Sequence, residues 1–165
     1  MLSRIIGLIA VCAASPALAL SCLPFGPVQA FEEADAAEDV YTVVHGSLAF
    51  DQAKAPESYE QSREQTGLGS ESEPVTIPAR VAGEALTREG FAGPWAADVT
   101  LEISCVGPWC GMVAPGDDVL MFLKRAGESY VLEVGACRSM AFGDARDEDL
   151  RAMEACLAGD CPSTE

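Results

Sequence analysis

The feature that most constrains this chain is a set of cysteines that follows an N-terminal leader. Residues 1–19 have the pattern of a secretory signal peptide, with an early basic residue, a short apolar stretch and an Ala-x-Ala cleavage site. Cleavage near Ala19 removes Cys12 and predicts a periplasmic or secreted product. An even cysteine count in an exported chain predicts a disulfide framework, and six cysteines leave fifteen connectivities open. The six are Cys22, Cys105, Cys110, Cys137, Cys156 and Cys161.

Two other roles for these cysteines are less well supported. Cys105 with Cys110, and Cys156 with Cys161, could together offer four thiolates to zinc. Export to an oxidising compartment argues against such a metal site. Cys22 follows Ala-Leu-Ser, which is a poor lipid-attachment sequence, so no lipid anchor is expected. We therefore predict no metal and no cofactor.

The charge balance restricts the class of partner. The 165-residue chain has a formal net charge of −16, from 26 acidic and 10 basic residues. Nucleic-acid binding needs clustered lysine and arginine, so nucleic acid and anionic membrane surfaces are both disfavoured. No apolar stretch behind the leader is long enough to span a bilayer, and no membrane insertion is expected. Solubility is the simplest meaning of the charge, with a basic partner or divalent cations as functional alternatives. No oligomeric state is predicted.

Five stretches have the composition of β-strands, with β-branched, aromatic or alternating apolar residues. Gly46 within the first stretch predicts a bulge or sharp bend, and a glycine-punctuated turn is expected over residues 88–95. No helix alternates with the strands, so we predict a mainly β protein built as a small closed or partly open barrel. The strands are predicted at residues 40–50, 75–87, 97–105, 119–124 and 130–134.

Two helices flank the strands in the sequence. A short one is predicted over residues 30–39, after a lead in which Pro24 and Pro27 bar regular helix. The other covers residues 147–157, with Asp144 as its expected cap and acidic residues in its first turn. Apolar spacing predicts the inward-facing side chains. These are Phe31, Ala34, Leu150, Met153 and Leu157.

Residues 51–74 differ from the strands on either side, because they are polar and acidic and contain two glycines. We predict a long mobile loop inserted within a single domain of residues 20–165. Loops of this length are either functional or merely tolerated. The loop, with Tyr59 in it, is therefore one candidate surface for contact with a partner protein.

The stretch Ile103–Gly111 reads I-S-C-V-G-P-W-C-G and invites comparison with a redox centre. Thioredoxin-type centres need Cys-x-x-Cys at a helix N-terminus, whereas the spacing here is longer and a Pro-Gly pair soon follows. Cys105 and Cys110 are therefore interpreted as a local staple. Trp109 then covers that disulfide or the barrel mouth, or serves as an exposed binding anchor. His45 is the only histidine and is interpreted as structural, so no catalytic residue is assigned.

The residues from Cys22 to Phe31 spell C-x-P-x-x-P-x-x-A-F. This pattern resembles the opening of the netrin-like module, as in tissue inhibitors of metalloproteinases. Cys110 with Gly111 is similar to that module's mid-chain Cys-Gly, and Cys137 to the cysteine that closes its barrel. The resemblance implies a small five-stranded OB-like barrel with a short N-terminal helix and a C-terminal helix. It also implies the disulfides Cys22–Cys137, Cys105–Cys110 and Cys156–Cys161.

The resemblance also bears on function. Inhibitors of that family begin with a cysteine whose amine and carbonyl chelate the protease zinc, and Leu20 occupies this position here. Our leading hypothesis is therefore an exported, non-enzymatic binding domain with an unknown protein partner. Its expected contact residues are Leu20, Ser21, Cys22, Tyr59 and Trp109. The alternative is a metalloproteinase-type inhibitor that acts through its N-terminal segment. A thiol oxidoreductase or hydrolase lacks a convincing nucleophile and base.

Overall fold

A computed structural model describes residues 22–57, 61, 73–106 and 109–163. The expected signal peptide, the contact residues Leu20, Ser21 and Tyr59, and most of the polar loop lie outside these residues, so what was predicted for them stays a prediction. No helix in the described ranges is long and apolar enough to cross a membrane.

The described residues form two helices, eight strands and a single 3₁₀ turn. The helices are α1 (Pro27–Ala36) and α2 (Asp147–Leu157). The 3₁₀ turn is Gln52–Lys54. The strands are β1 (Tyr41–Phe50), β2 (Val75–Thr87), β3 (Gly90–Ile103), β4 (Cys105–Val106), β5 (Trp109–Cys110), β6 (Gly116–Ala126), β7 (Ser129–Val134) and β8 (Ala141–Gly143).

Five strands form a ring-like sheet in the order β1, β2, β3, β7, β6, and β6 closes the ring by pairing with β1. Neighbours are antiparallel except β3 and β7, which are parallel. Short β8 pairs with β6, and β4 with β5 forms a separate two-stranded hairpin. This mainly β, OB-like architecture with one N-terminal and one C-terminal helix confirms the predicted fold class.

The ring is not a strict barrel, because β7 is much shorter than β3. β7 pairs with β3 only at residues 100–103 of the longer strand. Among the described residues, the remainder of β3, residues 90–99, pairs with β2 alone. β7 also pairs with β6 over a short stretch, opposite residues 124–126. The predicted barrel is therefore open along one side of β3.

One apolar core fills the ring. β6 contributes a continuous run, residues 119–123, in which every side chain is buried, as predicted for a buried strand. Ala30 of α1 and Met153 of α2 are fully buried against the same core. Burial of a large apolar side chain contributes about 1.5–3 kcal/mol. Both helices are therefore held to the sheet through the core rather than by their surface charges.

The bend predicted at Gly46 is confirmed. The register between β1 and β6 shifts between Gly46 and Leu48, as it does at a β-bulge. Gly46 lies opposite Gly83 of β2. β1 bends at this point while it keeps a partner on each side.

The glycine-rich stretch 88–95 was predicted to be a turn, and this prediction is wrong. The turn is limited to Arg88 and Glu89, and β3 begins at Gly90. The Thr87 hydroxyl closes the turn by accepting from the Glu89 amide at 3.2 Å and donating to the Gly90 carbonyl at 2.9 Å. Pairing with β2 continues through the glycines and outweighs their poor intrinsic strand preference.

The N-terminal ends of both helices differ from the prediction. α1 covers Pro27–Ala36 rather than the predicted 30–39. Pro27, which was predicted to bar helix, begins it, because a proline at the first helical position loses no intrahelical hydrogen bond. α2 has the predicted bounds, but Asp144 does not cap it. Instead the Asp149 carboxylate accepts from the Arg146 backbone amide at 3.1 Å.

The inward face of α2 is partly as predicted. Met153 is buried, whereas Leu157 is 44% exposed. Cys156 is buried in its place, one position earlier in the last turn. Leu157 instead lines two depressions at the end of α2.

Three disulfides are present: Cys22–Cys137, Cys105–Cys110 and Cys156–Cys161. These are the pairs that the resemblance implies. The first joins residues 115 positions apart, whereas each of the others spans only 5. Such a framework is typical of proteins in the periplasm or outside the cell.

Candidate functional site

A groove with a volume of about 610 Å³ lies at one end of the ring. β1, β3 and β7 all end there and β6 begins there, so four connecting segments meet around it. The described residues that line it are Cys22, Gln52, Ala55, Pro56, Glu57, Ile103, Trp109, Cys110, Gly111, Met112, Val113, Ala114 and Ala136. We call it the N-terminal groove.

The β4–β5 hairpin forms one wall of the N-terminal groove. Its strands pair Cys105 with Cys110 and Val106 with Trp109, and the disulfide joins the first of these pairs. The hairpin base is fixed to the sheet, because the Gly111 amide donates to the Ser104 carbonyl at 2.9 Å and the Ser104 amide donates to the Val134 carbonyl of β7 at 3.0 Å. The backbone is so close here that a Cβ on Gly111 would lie 2.2 Å from the carbonyl oxygen of the last β7 residue. The position of Trp109 is therefore set by a covalent and a backbone constraint.

The N-terminal segment forms another part of the rim. The disulfide to Cys137 anchors Cys22 beside the end of β7. Next to this anchor, the Arg138 guanidinium forms an ion pair with Glu33 of α1 at 3.0 Å and lies 5.8 Å from the centre of the Phe25 ring. Both ends of the segment that leads into α1 are thus fixed, although Cys22 itself is exposed.

The lining is mostly apolar and carries few charges. Glu57 is the one charged side chain among the described lining residues. Two large apolar side chains are exposed at the rim, with Trp109 at 40% and Met112 at 89% exposure. Apolar grooves of this volume are typical of ligand and peptide sites. The arrangement suits an apolar segment better than a charged one.

Only some of the predicted contact residues lie within the described part of the chain. The structure brings Cys22 and Trp109 into one groove, and Cys22 follows directly on Leu20 and Ser21, which are outside the described residues along with Tyr59. Ala55 and Pro56, at the start of the polar loop predicted as a contact surface, also line the groove, whereas sequence reasoning missed Met112. Met112 follows the Cys-Gly pair directly, but only the course of the chain after the hairpin shows that its side chain is exposed.

His45 does not reach this groove. Its Nε2 lies 2.6 Å from a carboxylate oxygen of Asp118, and its ring meets Phe91 edge-on at 5.9 Å between centroids. Among the described residues no hydroxyl or thiol is hydrogen-bonded to the imidazole. The pair links the middle of β1 to the start of β6 at the surface.

A second polar cluster lies on the outside of the sheet. The Lys124 ammonium is hydrogen-bonded to Glu133, and this bond is the main reason that the pKa of Lys124 is raised. Burial, followed by the charge of Glu133, raises the pKa of nearby Tyr41. These groups come from β1, β6 and β7, and the Lys124–Glu133 hydrogen bond joins the last two of these strands.

The described residues contain no group of three or more histidine, cysteine or acidic side chains placed to hold a metal ion. All six cysteines among the described residues are in disulfides. Comparison with known proteins finds no matching family model and no significantly similar curated protein or solved structure. The function must therefore be argued from the grooves themselves.

Proposed function

We propose that the chain is an exported, non-enzymatic binding domain that takes a protein partner into its N-terminal groove. One observation carries the proposal: Cys22 and Trp109, from distant parts of the chain, line a single apolar groove with only one charged side chain in its described lining. Exposed tryptophan beside an apolar depression is the usual composition of a binding anchor.

The groove favours an apolar stretch of polypeptide. Trp109 and Met112 supply large exposed surfaces, and Pro56 and Val113 line the depression between the rims. Burial of apolar surface yields about 25 cal/mol per Å², so one or two large partner side chains would supply most of the affinity. The strongly acidic chain disfavours nucleic acid as the occupant.

Site-directed photo-crosslinking tests this proposal. A photoreactive amino acid replaces Met112 in one variant and the exposed Glu128, on the β6–β7 turn, in the control. The protein captured only from position 112 is then purified, and its affinity is measured by calorimetry. We expect Trp109→Ala to weaken that affinity about tenfold or more. Equal capture from both positions, or an unchanged affinity, contradicts the proposal.

The second candidate function is a metalloproteinase-type inhibitor. This candidate includes the proposal that the chain belongs to the netrin-like family. It is supported by the Cys22–Cys137 disulfide, which anchors the N-terminal segment at the rim of the groove. In this candidate the signal peptide is removed before Leu20, and the new N-terminal amine and carbonyl bind the protease zinc.

The two candidates differ in their dependence on the N-terminal amine. We expect inhibition of a zinc protease by the processed protein, and its loss after acetylation of the amine or addition of one residue. A partner that binds through the groove is insensitive to acetylation. N-terminal sequencing of the exported protein tests the cleavage site, and a start outside residues 20–22 would exclude the inhibitor.

A further inference from the structure

A second groove lies at the opposite end of the ring, where β1 begins and β2 ends. It has a volume of about 430 Å³ and is lined by the end of α1, the start of β1 and the last residue of α2. Its floor contains Phe31, Val43, Leu86 and Leu157. We call it the acidic groove. The residues that form it are separate from those of the N-terminal groove.

Leu157 is the central feature of the acidic groove. Helical spacing places it on the apolar face of α2, yet it is 44% exposed. It also borders a neighbouring hollow, lined by Arg88, Glu89 and Glu154, so the two depressions adjoin at this residue. A soluble domain that leaves such side chains uncovered along a groove commonly uses them in an interface.

The charges around the acidic groove determine which sign of charge an occupant should carry. Asp35 and Asp39 line it, and neither forms an ion pair with a described basic residue. The adjoining hollow contributes Glu89 and Glu154 against a single Arg88. The combined lining thus has four carboxylates and one guanidinium. The net negative charge of this lining attracts a cationic group, and nearby low-dielectric walls strengthen the attraction.

We propose that the acidic groove binds a basic peptide segment of another protein, which inserts one large apolar side chain against Leu157 and places lysine or arginine beside Asp35 and Asp39. Apolar burial and charge complementarity both point to this occupant. A second copy of the chain fits poorly, because it brings a net charge of −16 to a surface that is already acidic.

The test uses a synthetic five-residue peptide with phenylalanine between two pairs of lysines, added to the disulfide-bonded protein and followed by NMR. We expect saturable shifts at the amides of residues 35–43 and 154–158, together with an affinity that falls as salt is added. A peptide with serine in place of phenylalanine should bind about tenfold more weakly, because the apolar anchor is lost.

Two variants separate the contribution of charge to the binding of the lysine peptide from the contribution of apolar contact. Asp35→Asn with Asp39→Asn should weaken binding about fivefold, and Leu157→Ser should do so about tenfold. The charge-matched control, Asp117→Asn with Glu128→Gln, removes two exposed carboxylates elsewhere and should leave the affinity unchanged. Circular dichroism and the melting temperature establish that each variant is folded.

Several outcomes overturn the proposal. These are equal weakening by the charge-matched control, shifts that map to the N-terminal groove, or the same shifts with calcium chloride alone. Self-association that Leu157→Ser abolishes would assign the groove to a second copy instead. Since the acidic groove and the N-terminal groove share no lining residue, Trp109→Ala should leave binding of the lysine peptide unchanged.

Discussion

Gly46 and Gly83 lie opposite each other on β1 and β2, and neither position has room for a side chain. A Cβ on Gly46 would lie 2.3 Å from the Ala82 carbonyl oxygen, and one on Gly83 would lie 2.1 Å from the His45 carbonyl oxygen. The bend of β1 therefore depends on a close backbone approach that only glycine permits. We call this close approach of β1 to β2, within the ring, the crossing.

We expect Gly83→Ala to lower the free energy of unfolding by about 3 kcal/mol, because the added methyl group meets backbone atoms that cannot move aside. Urea unfolding followed by fluorescence measures the change. Gly143→Ala, at a position where nothing lies within 4 Å of the new Cβ, is the control and should change stability by less than about 0.5 kcal/mol. Similar losses for both variants would show that the crossing is not closely packed.

The long disulfide should stabilise the chain more than a local one. In the chain-entropy account, replacing Cys22 and Cys137 by alanine costs about 5 kcal/mol, because 115 positions separate them. The same replacement of Cys105 and Cys110, separated by 5 positions, should cost about 2 kcal/mol. Denaturant unfolding of both variants compares the two values. The reverse order would mean that the hairpin, rather than the N-terminal anchor, holds the ring end together.

Asp149 should make the stability of α2 depend on pH. Partial burial raises the pKa of Asp149, but hydrogen bonds from Arg146 outweigh burial and lower the pKa overall. A lowered pKa in the folded state means that the stabilisation is complete above the unfolded-state pKa and is lost as pH falls through the folded-state value. We expect Asp149→Ala to cost about 1 kcal/mol at neutral pH and progressively less below pH ~4. Glu128→Gln serves as the control, and a pH-independent difference for Asp149→Ala would contradict this account.

Tyr41 should titrate above the ordinary range of tyrosine, because burial and then the charge of Glu133 raise its pKa. Ultraviolet difference titration, with Tyr41→Phe to assign the signal, measures this directly. Glu133→Gln removes one of the two main causes and should lower the pKa of Tyr41 towards its ordinary value. No change in that variant would leave burial as the sole cause.

Strong local patterns predicted much of the fold. The continuous apolar run of β6, the bulge at Gly46 and the bounds of α2 all follow from residue type and spacing. The prediction of a turn at residues 88–95 was wrong, because it rested on the intrinsic preference of glycine and proline for turns. Cross-strand pairing with β2 is a tertiary effect, and a single sequence does not display it.

The candidate site was less predictable than the fold. Trp109 was visible as an anchor beside a cysteine, and the structure adds Met112 and the segment around Pro56 to the same groove. Leu157 had the spacing of a core residue, yet it is 44% exposed and lines two depressions at the end of α2. In both cases the missing information was which segments meet at the ends of the ring.

Within the described part of the chain, residues 90–99 of β3 pair on one side only, and this bears on the risk of aggregation. Free backbone amides and carbonyls along an edge strand can recruit a strand from another molecule. Pro94 lies within residues 90–99 of β3, and it has no backbone N–H to offer such a strand. The ion pair between Asp98 and Arg80, at 2.9 Å, adds charge further along the same edge. The opening that keeps the ring from being a barrel thus carries its own protection against intermolecular β-sheet growth.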